Sequence, residues 1–394
     1  MKKRIAFMID TLAGGGAERV VSVLSQELIK RGYCVDIVLT QKKLIQYTIP
    51  KEVNVYFLPD FPDISTSFKL IRVITRIKRW LGRTIYSLAQ KTVIIDSNCC
   101  FNDPEVRYLL SMRYFFETYV KRNRPGVVVG FLVKPNIIML SKLNIKGIKR
   151  IFCERNSPVR PDIPVNIIRA RDKLCSRADA AVFQTNEQME YYTNIEKKFV
   201  IPNPLKESLP ERYIGDRKKE IVTFGRLDPQ KNLLCLIEAF ELFLANHSDY
   251  ILHIYGNGSQ REELERVINQ KKLESSVCID GFQNNIHELV VDAAMYVSTS
   301  DFEGLSNSML EAMAIGLPVV CTDCDGGGSR MIIHDCENGL IVPKGDARAV
   351  ADAMSKIADS KKFSDKLSTE ASKLRDQLSV ESIVSQWIVF FEEL

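Results

Sequence analysis

The chain has 394 residues, enough for two domains of ordinary size. Hydrophobic residues make up 45% and charged residues 26%, as in soluble globular proteins, and no run of 18 apolar residues reads as a membrane span. The net charge of +5 is too small to imply a nucleic-acid partner, and none is expected.

The start, Lys2-Lys3-Arg4 followed by Ile5 to Ile9, imitates a signal peptide, but its apolar stretch ends at Asp10, too short for an h-region. It reads as a strand. Arg4–Ile9, Cys34–Leu39, Val53–Leu58, Gly126–Leu132, Arg150–Cys153, Ala180–Phe183 and Phe199–Ile201 form a first series of strands. Helical patterns between them include Ala17–Lys30, Pro104–Lys121 and Val165–Arg177. The Pro- and charge-rich stretch from Asn203 to Lys219 reads as a hinge. A second series follows at Glu220–Phe224, Tyr250–Tyr255, Ser276–Ile279, Ala294–Ser298, Pro318–Thr322 and Gly339–Val342. Strands alternating with helices predict an α/β fold of two doubly wound parallel sheets, with ligands beyond the carboxyl ends of the strands. The expected division is 1–204, 205–375 and a terminal segment 376–394. Its helix, Glu381–Glu392, carries Ile383, Val384, Trp387, Ile388 and Phe391 on one face.

Residues 69–91 interleave two stripes. Leu70, Val73, Ile74, Ile77, Trp80, Leu81, Ile85 and Leu88 follow one helical face and Arg72, Arg76, Arg79 and Arg83 the other. No Asp or Glu occurs between Asp63 and Asp96. Such a segment can lie on an anionic bilayer surface, or pack as a core helix with a solvated basic face. The ten cysteines are scattered, and Cys321-x-x-Cys324 has no second pair or nearby histidine to complete a metal site. Free thiols in this number suit a reducing cytoplasm.

The segment from Asp301 to Val320 is the most informative. Glu303 and Glu311 stand eight positions apart around a helix start, with Ser306 or Asn307 as candidate N-cap. The helix N-terminus could seat a diphosphate, whereas carboxylates suit sugar hydroxyls, which they accept hydrogen bonds from. Phe224-Gly225-Arg226-Leu-Asp228-Pro229-Gln-Lys231 follows a strand and offers a guanidinium fork and an ammonium to phosphate. Gly14-Gly15-Gly16 follows the first strand and opens a helix, but it is neither a Walker A nor a GxGxxG fingerprint. The Asp-x-Asp at Asp323 and Asp325 could hold a metal, but the cations Arg226 and Lys231 are the preferred partners of a leaving diphosphate.

Glu303 and Glu311, followed in register by Ala-Met-Ala-x-Gly-x-Pro-Val-Val, resemble the Glu-(seven residues)-Glu motif of retaining glycosyltransferases of family 4. The resemblance covers the whole chain and is sharper after the hinge. It implies two Rossmann-like domains facing across a cleft (the GT-B, glycogen-phosphorylase-like architecture), with the last helix crossing back to the first domain. It further implies that Glu303 faces the donor sugar, Glu311 binds the ribose, and Gly304, Leu305, Ser306 and Asn307 line the donor. The Gly15–Gly16 loop would edge the cleft, Gly256 and Gly258 would lie by the nucleobase, and the Gly281–Phe282 backbone would contact the base. Asp323 to Met331 resembles the family's second glycine loop. Glu154 and Arg155 are acceptor-side candidates, or else an ion pair at a strand end. Some relatives place a histidine in the first domain's wall; the four histidines here, His247, His253, His287 and His334, all lie in the second half.

The implied activity is retaining, metal-independent transfer of a hexose or N-acetylhexosamine from a nucleotide sugar, UDP-linked by preference, to a lipid-linked oligosaccharide. The setting would be synthesis of a cell-surface polysaccharide such as capsule or O-antigen, with Glu303, Arg226 and Lys231 as the catalytic set. No cofactor and no metal are expected, and the enzyme would sit peripherally on the cytoplasmic membrane face. A sugar-nucleotide epimerase or hydrolase on this fold, or a non-catalytic sugar-nucleotide binding protein, are the alternatives.

Overall fold

A computed structural model describes residues 3–42, 44–60, 100–142 and 146–394. The first series of strands is β1 (Arg4–Ile9), β2 (Cys34–Leu39), β3 (Asn54–Phe57), β4 (Val127–Phe131), β5 (Lys149–Cys153), β6 (Ala180–Phe183) and β7 (Lys198–Val200). The second is β8 (Lys218–Phe224), β9 (Ile251–Tyr255), β10 (Val277–Gly281), β11 (Ala293–Ser298), β12 (Val319–Thr322) and β13 (Leu340–Val342). Each expected strand is present, its ends displaced by one or two residues at most. Strands such as β4, β11 and β12 are buried along their whole length, so they read as continuous apolar runs rather than alternating ones.

The strands form a seven-stranded sheet, ordered β3-β2-β1-β4-β5-β6-β7, and a six-stranded sheet, ordered β10-β9-β8-β11-β12-β13. Every neighbouring pair in the six-stranded sheet is parallel. In each sheet the order reverses once, between β1 and β4 and between β8 and β11, which makes the crevice at those strand ends the natural ligand position.

The helical pattern Pro104–Lys121 is two helices, Pro104–Ser111 and Arg113–Asn123. The break falls at Met112, whose N–H reaches back to both Tyr108 O and Leu109 O. Asp103 caps the first helix by accepting from the Glu105 and Val106 amides. A helix at Val133–Leu140, unanticipated from the sequence, follows β4; Pro135 sits in its first turn, where its missing N–H costs nothing.

By contact density the chain divides into one unit of Met1–Cys153, Pro161–Ala181 and Asn194–Lys197, and another of Glu154–Arg160, Val182–Thr193 and Lys198–Leu394. The core of the first unit includes Phe7 and Phe131, packed edge to face across the switch point of its sheet. In the second unit the helices Leu233–Leu244 and Ala347–Ala358 contribute Leu236, Phe240, Val350 and Met354 to the core. The last helix, Val380–Glu392, is capped by Ser379 and buries Ile383, Val384, Trp387, Phe390 and Phe391. Its Phe390 packs on Phe199 of β7, and the Arg155 guanidinium lies 5.4 Å from the Trp387 ring centre.

The basic stretch 69–91 lies outside the described residues. Among those described, no helix is long and apolar enough to cross a membrane. Cys321 and Cys324 are buried free thiols. Burial pushes the Cys321 thiol well up and Cys324 up to about 12. A thiolate-directed alkylating reagent at neutral pH should therefore label exposed Cys336 well before either of them, as read by peptide mass mapping of the native protein.

Candidate functional site

The site is built at the β8/β11 switch point. After β8 the chain runs through Gly225, Arg226 and Leu227 into a short 3-10 turn, Pro229–Lys231, and then the helix Leu233–Leu244. Asn232 joins the two in a left-handed conformation (φ 44°) and caps the helix by accepting from the Cys235 amide. Its side-chain amide also donates to Asp301 at 2.9 Å, while the Thr299 hydroxyl donates to Lys231 O and Asn232 O. Gln230 donates to Phe302 O at 2.8 Å. The segment that presents Lys231 is thus stitched to the segment that presents Glu303.

Those two side chains meet. The Lys231 ammonium donates to Glu303 Oε1 at 2.5 Å, and the Ser300 hydroxyl donates to the same oxygen at 3.2 Å. Both residues are largely buried, at 18% and 14% side-chain exposure. Burial works to lower the Lys231 pKa, but the Glu303 charge and the hydrogen bond outweigh it and the net direction is upward. Tyr296 stands beside them with its hydroxyl donating to Ser308, and burial raises its phenol to about 12. Arg226 differs from Lys231: its side chain is 67% exposed and pairs with Asp228 at 2.7 Å. It is the accessible cation of the two.

The helix Asn307–Ala314 starts with Ser306 at the cap position, but without a side-chain cap bond; its hydroxyl lies 3.1 Å from that of Ser308. Asn307 accepts instead from the Asn203 amide at 2.9 Å. The Leu305 N–H donates to Gln184 Oε1. Gly304 is needed by crowding: a Cβ there would lie 2.3 Å from Gln184 Oε1 and 2.9 Å from Arg155 O. Glu311 is buried and lies 2.9 Å from His287 Nε2. Sequence reasoning did not single out His287, since nothing in Asn285-Ile286-His287-Glu288 marks a partner 24 positions away.

The strand-end turns of β8, β9 and β10 are bound edge to edge. Gly225 N–H donates to Tyr255 O, Gly256 N–H to Gly281 O, and Leu227 N–H to Asn257 O. Gly256 has φ 144°, and a Cβ there would stand 1.7 Å from Gly225 O; one at Gly258 would meet the Leu227 backbone at 2.3 Å. These glycines let the turns stack. Gly256→Ala should destabilise the fold by about 3 kcal/mol through backbone clash and strain, measurable as a fall in thermal midpoint. Beyond them the Phe282 ring is 68% exposed at the end of β10.

Asp323 and Asp325 are already engaged. Arg330 Nε donates to Asp323 at 2.7 Å and Lys344 to Asp325 at 2.9 Å. Arg330 also donates to Glu187, which accepts from the Gly326 N–H as well, and Thr185 donates to Gly326 O. This holds the second glycine loop against the Glu303 backbone, where a Cβ on Gly326 would lie 1.8 Å from Glu303 O. Glu154 and Arg155 are buried, at 1% and 7% exposure. Glu154 accepts from the Tyr192 hydroxyl, and Arg155 donates to Ile201 O and Asn203. To meet an acceptor they would have to give up these partners. In the first unit, Gly15 exchanges hydrogen bonds with the Tyr47 hydroxyl through both its N–H and its carbonyl, and Gly16 begins the helix Gly16–Lys30.

Two parallel sheets with glycine-turned switch points, one carrying a lysine–glutamate pair, define a fold of two Rossmann-like, doubly wound sheets. Residues 206–374 match the family described as glycosyl transferases group 1. It is 28% identical over 215 residues to the poly(glycerol-phosphate) alpha-glucosyltransferase of Bacillus subtilis, a match covering 53% of this chain and 32% of that protein. The chain therefore spans well under half the length of that relative. It is 27% identical over 345 residues, 86% of each chain, to the N-acetylgalactosamine-N,N'-diacetylbacillosaminyl-diphospho-undecaprenol 4-alpha-N-acetylgalactosaminyltransferase of Campylobacter jejuni. Among solved structures, HepE of Anabaena in complex with UDP and glucose shares the fold, with a TM-score of 0.74 at 16% identity over 100% of both chains.

Proposed function

We propose that this chain is a retaining, metal-independent glycosyltransferase. It moves a hexose or N-acetylhexosamine from a UDP-linked donor to a lipid-linked oligosaccharide at the cytoplasmic membrane face, in synthesis of a cell-surface polysaccharide. One observation carries the reading: Lys231 and Glu303 are paired at the switch point, at the head of the helix that bears Glu311. The Campylobacter relative's name places its acceptor on a diphospho-undecaprenol carrier, and the HepE structure holds UDP and glucose, which supports this substrate class. The basic sequence 69–91 would supply the attraction to anionic lipid.

Transfer expels a nucleoside diphosphate, and negative charge grows on its outer oxygen as the glycosidic bond breaks. Lys231 and Arg226 supply positive charge there, and the engagement of Asp323 and Asp325 with Arg330 and Lys344 favours cations over a metal in this role. In front-face substitution the acceptor oxygen bonds to the anomeric carbon on the side the phosphate leaves, and that phosphate oxygen takes the hydroxyl proton. No histidine base is required. Glu303 accepts hydrogen bonds from the donor sugar, and Glu311 from the ribose.

The test is incubation with UDP- and GDP-sugars and a membrane extract, with and without EDTA. A glycolipid with the donor's anomeric configuration, formed equally in EDTA, is the expected product. Inverted configuration, or activity lost on chelation and restored by Mg²⁺ or Mn²⁺, would refute the mechanism, and release of free sugar alone would mark a hydrolase. Glu311→Ala should weaken UDP binding by about ten-fold or more through loss of charged hydrogen bonds, measured by calorimetry.

A further inference from the structure

We propose that His287 is a positioning residue for the donor nucleotide, fixing the Glu311 carboxylate in the orientation that receives the ribose hydroxyls. The proposal rests on the donor-site reading of Glu311 given above. Glu311 and His287 are 6% and 3% exposed, and their Nε2–Oε2 separation is 2.9 Å. An ionised carboxylate can only accept, so the imidazole Nε2 carries the proton of this bond. A glutamate side chain has three torsions to fix, and one anchored oxygen removes most of that freedom before the ligand arrives.

The imidazole is itself held. His287 lies on the short helix Ile286–Val290, leading into β11, and its ring meets Phe224 edge to face with centres 5.8 Å apart. Phe224 ends β8 and packs on Tyr296 of β11 at 4.9 Å. The histidine thus rests on Phe224 of β8, which is itself packed on Tyr296 of β11, and this ring packing limits where the imidazole can turn. Sequence places His287 in a different element from Glu311, so the pair forms only when the helix before β11 and the helix Asn307–Ala314 are both in place. A pair that only neutralised a buried carboxylate would affect stability; a positioning pair affects one part of the ligand.

The experiment therefore compares UDP with 2′,3′-dideoxy-UDP by calorimetry on the whole protein, for wild type, His287→Phe, His287→Gln and His287→Asn. Wild type should favour UDP by about 10- to 100-fold, the scale of hydrogen bonds to a charged group. In His287→Phe most of that preference should vanish, with UDP weakened about ten-fold and the dideoxy analogue changed by ~2-fold or less. Gln carries an amide N–H at the reach of Nε2 and should retain the preference; Asn is one methylene shorter and should not. The donor KM should rise with kcat little changed. Equal weakening of both ligands, or an undiminished preference in His287→Phe, would overturn the proposal. If His287→Phe does not fold, the Gln and Asn variants decide: equal preference in the two overturns it. Wild type that binds neither UDP nor GDP would instead sink the donor-site reading, and the role of His287 with it. Wild type that binds UDP and the dideoxy analogue equally would remove the ribose role of Glu311.

Discussion

Glu303→Ala should lower turnover by about 10³-fold while UDP affinity is kept or improved, because in the proposed mechanism the lost group serves the sugar and not the nucleotide. The structure sharpens this expectation. Glu303 holds the Lys231 ammonium, so removing the carboxylate frees a buried cation for the proposed diphosphate. Ser300, which donates to the same Glu303 oxygen, would be left without that acceptor, but a hydroxyl can rotate and the local cost is small. Single-turnover kinetics with a UDP-sugar, set beside calorimetry with UDP, separates the two effects. Near wild-type turnover would place Glu303 outside the chemistry, and a large loss of UDP affinity would make it a nucleotide ligand.

Lys231→Ala should cut transfer by about 10²–10³-fold, and Arg226→Ala by less, although both are cations beside the same turn. The reason is burial. A charge in a partly dry site interacts more strongly than one facing water, and Lys231 is 18% exposed against 67% for Arg226. Removing Lys231 also strands the Glu303 charge, so the Lys231→Ala/Glu303→Ala double variant should cost less than the sum of its two single variants. The pH dependence carries a sign that can be checked. In the wild type, burial lowers the Lys231 pKa but Glu303 more than offsets it, so the ammonium persists into alkaline solution. In Glu303→Gln the charge is gone, burial prevails, and Lys231 should lose its proton at a lower pH. UDP affinity followed by calorimetry from about pH 7 to 10 should then decline earlier in Glu303→Gln than in wild type. Coincident pH profiles would dissociate Lys231 from the diphosphate.

Strand positions and their parallel direction were legible in the sequence because runs such as Val127–Phe131 and Ala293–Ser298 bury both faces and leave an unbroken apolar signal. The alternation of such runs with helices carries the two-sheet fold, and the turn glycines mark where strands end. The break at Met112 and the helix at Val133–Leu140 were less legible. Both halves of the first pattern share a helical period, and Pro135 reads as a breaker unless its place in the first turn is known.

By itself the sequence determined which residues could carry phosphate and sugar chemistry: Arg226, Lys231, Glu303 and Glu311 lie in local segments whose residue types announce them. Only the tertiary structure decided how they pair. Lys231 meets Glu303 across 72 positions and His287 meets Glu311 across 24, while Glu154 and Arg155 turn inward to Tyr192, Ile201 and Trp387. Local periodicity encodes which face of a strand or helix is apolar. Pairing between side chains on different elements depends on the strand order β10-β9-β8-β11-β12-β13 and on glycine turns that stack within bonding distance, and these arise only when the sheet closes around its switch point.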